Sequence, residues 1–94
     1  METEELSIYI KSACKGDVEA LEKVILEVQD LIFNLSLRML GDINDAQDAS
    51  QEIVIKIMTK LSTFRFESKF KTWAYRVATN YLIDYKKICF QNIH

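Results

Sequence analysis

The chain has 94 residues, 49% of them hydrophobic, with no proline and only two glycines. A chain of this length forms one domain, and the scarcity of turn-forming residues excludes a many-stranded sheet and favours helices joined by short connections. The acidic start, METEEL, is the reverse of a signal peptide, and no apolar run approaches the roughly 20 residues of a membrane span, so we expect a cytoplasmic protein without a membrane span.

The net charge of −2 conceals opposite charges in the two halves of the chain. Residues 1–55 hold twelve acids and four bases, a net of −8, whereas residues 56–94 hold eight bases and two acids, a net of +6. A basic surface attracts nucleic acid and an acidic one repels it. The asymmetry therefore predicts two surfaces with two different partners.

Apolar residues recur every three or four positions in four segments, which predicts an all-α, compact bundle of four helices. These helices are expected at about 4–15, 18–40, 46–62 and 69–89. The second is apolar on most sides towards its end and should lie at the centre of the bundle. Cys14 follows Leu6 and Ile10 on the apolar stripe of the first helix, so it is expected to be a small core residue.

The start of the third helix carries several acids. Asp45 is the expected N-cap, which places Asp48 at the third helical position. Asp48, Gln51 and Glu52 are spaced i, i+3, i+4 and share one surface patch. Local helix physics explains the patch simply: Asp48 stabilises the free amides of the first turn, and the other two are solvated.

The last helix, expected to be capped by Ser68, has an apolar stripe and is basic elsewhere. Basic groups interleaved with aromatic ones suit a polyanion whose bases stack, although a core helix with a solvated basic face fits the same pattern. The preceding loop, Ser62–Ser68, contains two phenylalanines and an arginine. They form either a pocket for an unstacked base or a plug for the end of the bundle; for Phe64 we favour the plug.

No catalytic or metal-binding pattern emerges. The lone histidine is His94, Cys14 and Cys89 belong to no CxxC motif, and there is no glycine-rich phosphate loop. We therefore expect no enzymatic activity and no cofactor.

Four motifs in chain order resemble region 2 of bacterial sigma-70 family factors, most closely the extracytoplasmic-function (ECF) class. They are KGDVEAL at 15–21, RMLGDINDAQDASQE at 38–52, STFRFESKFKTW at 62–73 and YRVATNYLIDYKK at 75–87. The resemblance implies a role in transcription initiation. In this family, region 2 binds core RNA polymerase and recognises and melts the promoter −10 element.

The resemblance also implies roles for individual residues. Asp48, Gln51 and Glu52 match the family's contact with the clamp coiled coil of the polymerase β′ subunit, which replaces the capping explanation. The loop and the last helix match the parts that hold a flipped base of the non-template strand. The implied DNA-binding residues are Arg65, Phe66, Lys69, Lys71, Tyr75, Arg76, Asn80, Lys86 and Lys87.

Among the implied DNA contacts, Asn80 is the candidate for a base edge because its amide is both donor and acceptor. Lys86 and Lys87 are candidates for phosphate contacts, which add affinity without sequence information. Trp73 acts either as a melting wedge or as a core residue. Phe66 occupies a position where a small or turn-forming residue is usual, so the base preference of this loop stays open.

The family's second domain, a helix-turn-helix that reads the −35 element, has no counterpart within residues 1–94. We therefore expect a single, isolated region 2 domain. The alternative function is a sigma-like helical interaction domain that binds polymerase or a regulator without reading DNA. An anti-sigma protein is a further candidate partner.

Overall fold

The computed structural model describes residues 3–91 of the chain and the side chains of residues 4–87, so the side chain of Cys89 and the whole of His94 lie outside it. The described part is all-α, as predicted. Its helices are α1 (Thr3–Cys14), α2 (Val18–Leu40), α3 (Ile43–Lys60) and α4 (Phe70–Gln91), with a 3-10 turn at Leu61–Thr63 after α3. None of the described helices is both long and apolar enough to cross a bilayer.

Helix α2 lies at the centre of the bundle and packs against each of the other three helices. Val24, Val28 and Ile32 follow one another at i+4 and are completely buried. The hydroxyl of Ser36 is also buried, and it donates a 2.8 Å hydrogen bond to the Ile32 carbonyl. That bond is needed because a buried hydroxyl without a partner would destabilise the core.

The other helices contribute one apolar face each to the same core. The buried faces of α1 and α3 include the large aliphatic residues Ile10, Ile53 and Ile57. Helix α4 places Ala74 and Ala78 at the centre of its buried face, where small side chains let its backbone approach its neighbours closely. This close contact fixes the direction of α4 and therefore of the polar side chains on its outer side.

The α2–α3 connection is shorter than predicted, because α3 begins at Ile43. The N-cap is Asp42, whose side chain accepts a 3.0 Å bond from the Asp45 amide, so the expected N-cap at Asp45 was wrong. Gly41 precedes it at φ 71, a left-handed conformation that glycine adopts without strain, and ends α2 by donating to the Leu37 carbonyl. Asp48 consequently lies in the second turn of α3, where it cannot satisfy the first-turn amides.

Two further local expectations were wrong. Cys14 is exposed because it lies in the last turn of α1, beside the exposed connection to α2. Ser68 does not cap α4: its hydroxyl donates to the Lys69 carbonyl, and Lys69 takes the cap position by accepting the first helical bond from the Trp73 amide.

The capping geometry predicts which acid stabilises α3. Asp42→Ala should lower the free energy of unfolding by about 1 kcal/mol because it frees a first-turn amide. Asp45→Ala, the matched control, should cost roughly half as much or less, since it removes only an interaction with the helix dipole. Urea denaturation measures both, and a larger loss for Asp45→Ala would contradict this assignment of the cap.

Candidate nucleic-acid and protein interfaces

Phe64 anchors the loop between α3 and α4. Its side chain is 8% exposed, and its amide donates to the Leu61 carbonyl at 3.1 Å. Its ring centroid lies 5.6 Å from that of Phe70 and 5.3 Å from that of Trp73. The expectation that Phe64 plugs the end of the bundle is confirmed, and the loop is held by an aromatic cluster.

Trp73 has two environments. It is half-buried and packs against the core, with ring centroids 5.3 Å from Phe64 and 5.7 Å from Phe70. It also lines a cavity of about 310 Å³ on the outer side of the loop. These contacts make Trp73 a core residue, and the same ring also forms part of the wall of a cavity.

This cavity, called the loop cavity below, combines aromatic and basic walls. Phe64 and Trp73 provide the aromatic surface, and Arg65 and Arg76 line the same cavity. Glu67 lines it as well. A planar ring can stack on such walls, arginine can bind a phosphate in a bidentate manner, and a carboxylate can accept hydrogen bonds from an amino group.

The implied DNA contacts on α4 divide into two rows. The first row consists of Arg76, Asn80 and Lys87, which are spaced i, i+4, i+11 and so lie on one side of the helix. It begins at the loop cavity and leads away from it along α4. Lys71, Tyr75 and Lys86 form a second row, about 100° round the helix from Arg76. All six side chains are exposed.

The second row begins beside another cavity. Phe66, Lys69 and Lys71 line a space of about 460 Å³ between the loop and α1, called the α1 cavity below. Lys71 also pairs with Glu27 of α2 at 3.9 Å, where Glu27 is only 18% exposed. The nearby carboxylate reduces the positive potential that the exposed Lys71 ammonium presents to an anion.

The acidic patch on α3 lies beside a groove between α2 and α3 of about 760 Å³. Asp48, Gln51 and Glu52 are all exposed, and Gln51 lines the groove. Asp48 and Glu52 are its neighbours on the helix surface and do not line the groove themselves. The structure therefore places one of the three at a concave surface and two beside it.

Several groove residues were missed from the sequence. Gln47 and Ile55 lie one turn before and one turn after the predicted Gln51, and the three line the groove together, opposite Asp30 and Phe33 of α2. Ile55 is 47% exposed and lies on the side of α3 opposite the completely buried Ile57. The signal was present as an apolar residue outside the core stripe of α3, but its meaning depended on where α2 lies.

The comparisons with known proteins agree on one family. Residues 24–87 match the family model of sigma-70 region 2. The chain is 40% identical over 75 residues to the ECF RNA polymerase sigma factor SigW of Bacillus subtilis (strain 168), which covers 80% of this chain and 40% of that protein. It is 32% identical over 78 residues to the ECF RNA polymerase sigma-E factor of Escherichia coli (strain K12), covering 83% of this chain and 40% of that protein.

A third relative is the RNA polymerase sigma-H factor of Pseudomonas aeruginosa, 41% identical over 66 residues, or 70% of this chain and 34% of that protein. The chain thus spans at most about two fifths of the length of these relatives.

The position of Trp73 predicts a stability effect that an exposed wedge would not have. Trp73→Ala should lower the free energy of unfolding by about 2–3 kcal/mol, since it removes ring contacts with Phe64 and Phe70 from a half-buried site. Tyr75→Ala, on the exposed side of the same helix, is the control and should change it by about 0.5 kcal/mol or less. Equal effects in thermal denaturation would show that Trp73 adds nothing to the core.

Proposed function

This chain belongs to the sigma-70 region 2 family, in the ECF class, and we propose that it acts in transcription initiation by binding core RNA polymerase and opening the −10 element of a promoter. The observation that carries the proposal is the loop cavity, where Phe64 and Trp73 lie beside Arg65 and Arg76. Aromatic rings next to guanidinium groups suit an unpaired nucleotide better than they suit a neutral ligand.

In this proposal a non-template base leaves the duplex stack and enters the loop cavity. Extrusion costs a few kcal/mol, which stacking against aromatic side chains and a shaped pocket offset. The row formed by Arg76, Asn80 and Lys87 then follows the strand along α4. In the same proposal Asn80, which is exposed, reads a base edge, and the lysines of α4 bind phosphates.

The α2–α3 groove is the proposed docking site for the β′ clamp coiled coil of the polymerase. A helix fits a groove between two helices, and Ile55 and Phe33 offer it apolar contacts. Asp48 and Glu52 lie at the rim and carry the negative charge that would orient a basic partner. An anti-sigma protein covering this groove or the loop cavity would compete with polymerase or with DNA.

The proposal predicts salt-sensitive binding of single-stranded −10 DNA. Arg76→Ala should weaken binding about fivefold or more and reduce the dependence of log affinity on log salt by about 0.7, the value for one phosphate contact on a single strand. Lys71→Ala should weaken binding too. Lys15→Ala, an exposed cation between α1 and α2, is the control, and fluorescence anisotropy across a salt titration is the measurement.

If Arg76→Ala and Lys71→Ala leave DNA binding unchanged while polymerase binding persists, the alternative is favoured: a sigma-like interaction domain that does not read DNA.

The docking site has a separate prediction. The double variant Gln51→Ala with Glu52→Ala should weaken capture of the chain by an isolated β′ coiled coil about tenfold, through lost contacts at the groove and its rim. Thr59→Ala with Lys60→Ala, two exposed positions near the end of the same helix, is the matched control. Unchanged capture by the Gln51 and Glu52 variant would remove α3 from the proposed interface.

A further inference from the structure

The first turn of α4 carries an unbalanced positive charge. It contains no acidic residue, whereas Lys71 lies in it and Lys69 takes the cap position directly before it. The free amides at the start of a helix already give that end a positive potential, so cations there destabilise the helix. A negative charge from elsewhere in the fold therefore stabilises this turn.

Glu27 supplies such a charge from α2. Its Oε2 atom lies 3.9 Å from the Nζ atom of Lys71. The Glu27 side chain is 18% exposed, whereas the Lys71 side chain is 58% exposed. The carboxylate is thus largely enclosed by the bundle and is screened by salt less than a surface acid would be, while the lysine stays open to a second anion from solvent.

A DNA phosphate bound to Lys71 would come close to Glu27. If a phosphate oxygen bonds to the Lys71 ammonium at about 2.8 Å, it lies within roughly 7 Å of the Glu27 carboxylate, because that carboxylate is 3.9 Å from the same nitrogen. This separation is shorter than the Debye length of about 8 Å at physiological salt. Glu27 therefore repels the same phosphate that Lys71 attracts.

Two other acids have different surroundings and serve for comparison. Glu4 lines the α1 cavity together with Lys69 and Lys71, but it is exposed and therefore more strongly screened. Glu22 is also exposed and lies about 140° round α2 from Glu27, at 100° per residue. Of these three acids, Glu27 alone is both largely enclosed and paired with a proposed DNA contact.

We propose that Glu27 is an intramolecular competitor of the DNA backbone: by pairing with Lys71 it lowers the affinity of the domain for the opened promoter strand. This inference rests on the proposed function, since it requires that Lys71 contact DNA. It assigns a DNA-related role to α2, which otherwise contributes to the core and to the α2–α3 groove. The same carboxylate stabilises the first turn of α4 in the absence of DNA.

The test removes the charge of Glu27 and keeps its shape. Glu27→Gln should bind a single-stranded −10 oligonucleotide about two- to fivefold more tightly than the unaltered protein at low salt, the range expected for a partly exposed ion pair. The gain should shrink as salt is added, because screening weakens the repulsion. Fluorescence anisotropy across a salt titration measures both effects, and urea denaturation checks that the variant remains folded.

Two kinds of control separate the pair from net charge. Glu22→Gln and Glu4→Gln make the same change of charge at exposed positions, and each should raise affinity less than about twofold. Lys71→Met keeps the aliphatic part of the side chain and removes its charge. When Glu27→Gln is added to Lys71→Met, it should raise affinity no more than Glu22→Gln does in the unaltered protein, because the competed cation is gone.

Other outcomes overturn the inference in distinguishable ways. Weaker DNA binding by Glu27→Gln would show that the carboxylate positions Lys71 for DNA and does not compete with it. Equal gains for the variants of Glu27, Glu22 and Glu4 would show an effect of net charge alone. If Glu27→Gln changes nothing while Arg76→Ala weakens binding, the inference fails and the proposed function stands. If none of the acidic or basic variants changes DNA binding, the proposed function fails as well.

Discussion

The burial of Phe64 is the contact on which the proposed base site depends. Its ring packs on Phe70 and Trp73 of α4 and supports Phe66 in the loop, so one side chain ties the connection to the helix bundle. Aromatic pairs of this kind contribute about 0.5–1.5 kcal/mol each beyond the burial of their surface. With the loop held in this way, its side chains line two cavities and need not be ordered at the moment of binding, which reduces the entropic cost of binding.

Charge in the folded domain is more mixed than the two halves of the chain suggest. The acidic half contributes Asp48 and Glu52 to one side of α3, but it also contributes Glu27, which pairs with Lys71, and Glu4, which lines the α1 cavity. These acids lie among the cations of the loop and α4. Their negative charge disfavours an anion at these positions within the basic region.

Helix α3 connects the two proposed interfaces. Gln51 lies at the groove, and the helix runs on from it to Lys60, about 14 Å further along the axis at 1.5 Å per residue. The 3-10 turn and the buried Leu61 and Phe64 follow directly. A partner that binds the groove therefore positions the loop through a packed helix and a buried turn, without a flexible linker between them.

The sequence by itself determined the four helices and the central place of α2, because the spacing of apolar residues along a helix shows which sides are buried. It favoured, without determining, the inward position of Phe64. It also indicated the family, since four motifs occur in order. It did not determine that Asp42 caps α3, because several acids in that turn have comparable capping ability. Only the folded backbone shows which of their side chains accepts a hydrogen bond from a first-turn amide. Only the tertiary structure shows that Cys14 is exposed, that Gln51 lines a groove with α2, and that Trp73 belongs to both the core and a cavity wall. Each of these depends on where a second element lies, and spacing along one helix carries no information about that.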